Sequence, residues 1–259
     1  MNKNSKTKSN GKHSSSKKQS LFTGAISRRA KLRDDLERKI LLEAEKIFAE
    51  KGFAGSSVAE IASAADISKQ NLMYYFPTKL ALYKRVLADV LEDWLRCMQT
   101  FAHSSRPIDL ALIDYINAKF EFSRRRPFGS RVFALEVIGG AKNYGKELKA
   151  KVVPALRDDI AALNRSIKPN GPSSLSAEHL FFIIWAATQS YADFSAQMEL
   201  ILDRRPLSDA DFDQARATLS QLILNTIRPF LDSPSSRPIN NMRPHRRELA
   251  KQPPQQQRP

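Results

Sequence analysis

An all-α fold is predicted for this 259-residue chain, on three observations. Apolar residues recur at helical rather than alternating spacing between polar ends. Only 9 glycines are present, too few for a turn-rich, all-β chain. The hydrophobic fraction of 42% supports a core, yet no run approaches the ~18 apolar residues of a membrane-spanning helix.

Residues 1–26 are rich in Lys, Ser and Asn and hold too little apolar surface to offset the entropy of ordering, so they are expected to stay unordered. Residues 27–78 make the first folded unit. Leu36, Ile40, Ala44, Ile47 and Phe48 form one apolar stripe, and Gly52 stops that helix. Ser56 or Ser57 caps a short second helix with a buried face of Val58, Ile61, Ala62 and Ala65. After a brief turn at Asp66 and Ile67, Ser68 caps a third, which should end before Pro77. Residues 79–231 hold the remaining helices: one from Lys79 through Trp94, then 108–126, 128–140, 145–166, 176–203 and 208–231. The segment 167–175 reads as a loop. Residues 232–259, rich in Pro, Gln and Arg, are again expected to be unordered.

The formal charge of +15 sits in the ends. Residues 1–33 hold ten Lys/Arg and no Asp/Glu, and residues 232–259 carry a net +4, which leaves the body close to neutral. Such ends suit phosphate contact, which is blind to sequence. The polar start is unlike a secretory signal, and a single cysteine, Cys97, excludes an internal disulfide. A cytoplasmic protein without membrane contact is expected.

The third helix reads SKQNLMYYF, and Leu72 and Phe76 supply its anchors. Lys69, Gln70, Asn71, Tyr74 and Tyr75 are left pointing elsewhere. Two short helices behind a longer one make a helix-turn-helix, whose second helix enters the major groove of DNA. Gln and Asn there can bond bidentately to adenine, and Lys can reach guanine or phosphate. Ser56, Ser57, Ser68, Lys69, Gln70, Asn71, Tyr74, Tyr75 and Lys79 are therefore the candidate DNA-binding residues, the backbone N–H groups at Ser57 and the Lys79 amine being directed at phosphates.

The span SSVAEIASAADISKQNLMYYFPTKLALYKRVL resembles the DNA-binding signature of the TetR family of bacterial transcriptional regulators. The matching positions are Phe53, Gly55, Ile61, Ala62, Ala65, Ser68, Leu72, Tyr74, Tyr75, Phe76, Lys79 and Leu82. Asp66 departs from the usual glycine in the turn, and Ser56 and Ser57 replace the usual threonines. The resemblance implies a homodimer, joined through the last two long helices, that reads a palindromic operator in double-stranded DNA. It implies a C-terminal domain that binds a small-molecule effector. The blocks KFEFSRRRPFGSRVFALEVIGGA, EHLFFIIWAATQSYADFSAQME and VLEDWL are similar to the pyrimidine-utilisation regulators of that family, which points to uracil or a related planar heterocycle.

Such a heterocycle needs a stacking surface and a donor–acceptor edge. Gln189 is polar on an apolar helix, one turn after Trp185, and Trp94, Phe133 and Tyr191 can add aromatic walls. Arg131 and Glu136 interrupt an apolar stretch; they either bind ligand or pair with buried groups such as Arg124 or Asp193. The run Phe181–Trp185 fits core or dimer interface better than pocket, and His179 fits a structural role. No nucleophile, metal-binding or phosphate-loop motif is present, so neither an enzyme nor a cofactor is expected. Two rivals remain: an activator or a regulator with another effector, and a non-specific nucleic-acid binder driven by the basic ends.

Overall fold

The computed structural model describes residues 12–167, 175–203 and 206–231, with side chains from residue 30 onward. Its elements in order are α1 (Lys12–Gly55), α2 (Val58–Ala64), α3 (Lys69–Tyr75), α4 (Lys79–Ala102), α5 (Ile108–Arg125), α6 (Pro127–Ile138), α7 (Gly145–Ser166), α8 (Ala177–Asp193), α9 (Ser195–Leu202) and α10 (Asp209–Ile227). A 3₁₀ turn follows at Arg228–Phe230, and an isolated antiparallel bridge joins Ile167 to Leu231. The fold is all-α, as expected. No helix among the described residues is long and apolar enough to cross a membrane.

Two elements differ from expectation. Helical backbone begins at Lys12, inside the segment expected to be unordered, because a helix's backbone hydrogen bonds are local and require no core. Residues 1–11, 168–174 and 232–259, on which the remaining arm, loop and tail expectations fall, lie outside the described residues. The helix expected over 176–203 is broken at Phe194, which has φ −115° and ψ 22°. The Phe194 N–H still bonds Ser190 O, while Phe194 O accepts from Gln197 N–H, so one ladder ends where the next starts. The preceding Asp193 is held by Ser130 Oγ on α6 at 2.7 Å. No Gly or Pro marks this break in the sequence.

The first three helices are set by local chemistry. Gly52 adopts φ +68° with open space around its Cα, so backbone conformation, not crowding, is what requires glycine there. Ser57 caps α2 by accepting from the Glu60 N–H, and Ser68 caps α3 by accepting from the Asn71 N–H. Between them α2 ends in a Schellman turn. Ile67 N–H reaches Ala62 O, Asp66 N–H reaches Ser63 O, and Asp66 sits at φ +57°. Asp tolerates this left-handed position better than most residues, which accounts for its standing in place of glycine. Leu72, fully buried, then pins α3 against the core formed by Ile40, Phe48 and Ile61.

α4 runs from this unit into the second, packing on α1 at one end and on α5, α6 and α7 along its length. Arg126, at the α5–α6 junction, fastens the two units. Its guanidinium binds Glu45 of α1 at 2.7 Å and Asp89 of α4 at 2.6 Å, and also Asp93.

Candidate functional site

α3 presents its polar side outward. Lys69, Gln70 and Asn71 are exposed, Tyr74 is 74% exposed, and these side chains make no hydrogen bond to other described residues. Tyr74 instead packs edge-on against Tyr75, ring centroids 5.6 Å apart. Tyr75 is half-buried, and the Arg33 guanidinium lies 5.8 Å above its ring. A rigid seven-residue helix with one buried anchor row and free donors and acceptors opposite suits insertion into a groove.

The other candidates are engaged within the protein. Ser56 is buried and its hydroxyl donates to Phe53 O at 3.0 Å. The Ser57 and Ser68 hydroxyls accept cap bonds. Lys79 donates to Phe53 O at 2.7 Å and Ser56 O at 2.9 Å, with its amine 4.6 Å over the Phe53 ring. Two of its three N–H donors are thus spent bracing the end of α1 against α4, and one is left for a phosphate.

In the second unit, Trp94 of α4 is the centre of an aromatic group. Phe133 of α6 stacks on it at 6.2 Å, and Trp185 of α8 meets it edge-on at 4.6 Å. The Trp185 indole donates to the Tyr115 hydroxyl at 2.6 Å. Gln189 is half-buried one turn beyond Trp185 and makes no hydrogen bond to described residues.

The remaining effector candidates have other partners. Glu136 accepts from the Asn143 and Tyr144 backbone N–H groups, from the Asn143 side chain and from the Tyr83 hydroxyl, so its carboxylate organises the turn between α6 and α7. Arg131 reaches Ala192 O at 3.4 Å. Tyr191 packs against Phe120 and Phe212, away from the tryptophan pair.

Two residues beside Trp94 escaped the sequence reading. Lys119 of α5 is 1% exposed; its amine lies 3.5 Å over the Trp94 ring and donates to Trp94 O at 3.3 Å. Burial pushes that amine down to about 7. Asp159 of α7 is fully buried, and burial pushes its carboxyl up to about 7, with the nearby Lys119 charge opposing the rise. The Ala102 backbone is near, yet neither Asp159 oxygen has a partner in hydrogen-bond geometry. The signal was in the pattern: Lys119 lies on the stripe of Leu112, Tyr115, Ile116 and Phe120, and Asp159 shares a face with Ala162 and Leu163. Cys97, close by, has its thiol pushed up by burial, unlike a reactive thiolate.

The pattern of bacterial regulatory proteins of the tetR family matches residues 40–86, and that of the C-terminal region of YcdC-like proteins matches residues 87–230. The HTH-type transcriptional regulator RutR of Escherichia coli (strain K12) is 35% identical over 193 residues, covering 74% of this chain and 91% of RutR. The chain belongs to the TetR family. It is a DNA-binding transcriptional regulator by that membership, and its relatives are regulators rather than enzymes. Two solved TetR-like structures share the fold alone. The ketosteroid regulator KstR2 of Mycobacterium tuberculosis is 18% identical at a TM-score of 0.58, over 74% of this chain and 94% of its own. PfmR of Thermus thermophilus is 19% identical at a TM-score of 0.57, over 73% and 95% respectively.

Two surfaces of this TetR-family chain complete the picture. Phe182, Ile183, Phe194, Leu200, Ile201 and Leu222 of α8, α9 and α10 are exposed, an apolar area larger than scattered surface residues explain. A cleft of about 1110 Å³ opens between α1, α4, α5 and α6, lined by Glu37, Glu45, Arg85, Asp89 and Arg126. It is open and charged, which suits a hinge between units better than a site for an uncharged heterocycle.

Proposed function

We propose that this regulator is a homodimeric, cytoplasmic repressor that holds a palindromic operator and is released by a small planar effector, uracil or a close relative. The outward face of α3 carries the reading: Lys69, Gln70, Asn71 and Tyr74 are exposed and unpaired on a helix whose caps and turn are otherwise fully satisfied. Two copies joined through the exposed apolar residues of α8–α10 place two such helices about a two-fold axis, which asks for two half-sites. The basic first 33 residues add phosphate affinity. The effector reading is supported by the stacked Trp94, Phe133 and Trp185 and by the sequence blocks shared with pyrimidine-utilisation regulators.

The test is retention of the protein's own upstream DNA against a scrambled duplex, at fixed salt, titrated with uracil, thymine and unrelated heterocycles. Specific retention abolished by uracil or thymine is expected. Specific retention that no pyrimidine disturbs would keep the regulator and discard this effector. Retention of both duplexes alike, falling together with salt, would favour binding through the basic ends.

A further inference from the structure

We propose that Lys119, Asp159 and the Trp94 indole N–H form an interior recognition chamber for a small, uncharged, planar heterocycle bearing adjacent C=O and N–H groups. This rests on the effector reading above and names the groups that perform it.

Three polar groups meet in the C-terminal core without adequate partners. Lys119 Nζ has one carbonyl at 3.3 Å and otherwise faces the rings of Trp94, Tyr115 and Trp185 at 3.5, 5.4 and 5.9 Å. Both Asp159 oxygens are buried and unpartnered, and so is Trp94 Nε1. Lys119 and Asp159 feel each other's charge, yet no hydrogen bond joins them. A core built for stability alone would carry apolar side chains at such places. Four helices converge here, α4 with Trp94, α5 with Lys119, α7 with Asp159 and α8 with Trp185.

The unmet groups define their ligand. Two donors, the Lys119 amine and the Trp94 indole, require carbonyl acceptors, and the Asp159 carboxylate requires an N–H. The ammonium and carboxylate cancel, so a ligand with its own net charge would be left buried and unbalanced. Lys119 covers the face of Trp94 on which a flat ring would stack. Its flexible stem can withdraw from the indole while its amine stays within reach of a ligand carbonyl.

The experiment uses the full-length protein and calorimetry with uracil, 1,3-dimethyluracil and orotate. Uracil binding is expected; dimethyluracil, lacking N–H donors, and orotate, carrying a carboxylate, should bind at least about 10-fold more weakly. Lys119→Met and Asp159→Leu should each weaken uracil by about 10-fold or more while dimerisation and operator retention persist. As a readout free of chamber variants, the Trp94 indole N–H resonance of the native protein, told apart from that of Trp185 through Trp185→Phe, should shift when uracil is added. Uracil binding that is unchanged within twofold in both variants would overturn the chamber and leave the sensor intact. So would binding that leaves the Trp94 resonance unmoved, as expected if ordered water alone occupies the chamber. A native protein that binds no uncharged heterocycle would remove the effector reading and the chamber together.

Discussion

The outer face of α3 and the interior around Trp94 hold the same kinds of group, unpaired donors and acceptors, in opposite surroundings. Gln70 and Tyr74 are exposed, so water satisfies them until DNA replaces it, and their cost to the free protein is close to nothing. Lys119 and Asp159 are buried, and each unmet group there costs about 1–3 kcal/mol for as long as the chamber is unfilled. An exposed polar face is therefore weak evidence of function until the fold shows that it faces away from everything else. A buried unpaired group is stronger evidence, because the fold tolerates it at a loss.

The largest effect that would sharpen this contrast is on the outer face. Gln70→Ala should weaken operator binding by about 1–3 kcal/mol per reading head, twice that for a dimer, with the melting temperature unchanged. Anisotropy and calorimetry on one preparation check both halves of that statement.

Next comes the fastening between the two units. Arg126→Met leaves Glu45, which is buried, without its cation and should destabilise the protein by about 3–5 kcal/mol in urea. Should operator release still follow effector binding in the surviving protein, coupling does not run through this cluster.

The interior predicts effects of the opposite sign. Lys119→Met should leave stability at pH 7 unchanged or raise it by about 1–4 kcal/mol, since an ammonium without adequate partners gives way to an apolar chain. The pH dependence has a definite shape. Asp159 is held up at about 7, so the folded state binds the extra proton below that value, and stability falls as pH rises from 5 to 7. Lys119 is held down at about 7, so the unfolded state binds more protons above it, and stability climbs from pH 7 to 9. Each limb has a slope of at most about 1.4 kcal/mol per pH unit. Unfolding curves across that range should show a trough near pH 7, with its alkaline limb lost in Lys119→Met and its acid limb lost in Asp159→Leu. Parallel curves for all three proteins would mean that the two groups titrate normally.

The smallest change is a cap. Ser68→Ala removes the bond to the Asn71 N–H and should cost about 1 kcal/mol of stability, with a modest loss of operator affinity from fraying at the start of α3.

The helices were legible because their signals are local. The stripe of Leu36, Ile40, Ala44, Ile47 and Phe48, the caps at Ser57 and Ser68 and the left-handed Asp66 all follow from residues within one or two turns. What could not be read depends on partners distant in sequence. Lys79 bonds carbonyls 23 and 26 residues away, which turns an expected phosphate ligand largely into a brace. Glu136 was read as a ligand group or half of an ion pair, whereas backbone amides seven and eight residues on, together with the distant Tyr83, claim it. The break at Phe194 carries no Gly or Pro, and the importance of Lys119 emerges only once α4, α7 and α8 are seen around it. For the effector residues, the sequence supplied the aromatic wall and missed the buried charges behind it.

The most direct test of the central claim, one chain in which an interior ligand and an exterior operator oppose each other, is a measurement of reciprocity. Uracil affinity would be determined by calorimetry on the free protein and again on the protein saturated with its upstream operator. Linkage requires uracil to bind the operator complex more weakly, by the same factor by which uracil weakens operator binding. Equal uracil affinity with and without operator would contradict the account, however tightly either ligand bound alone.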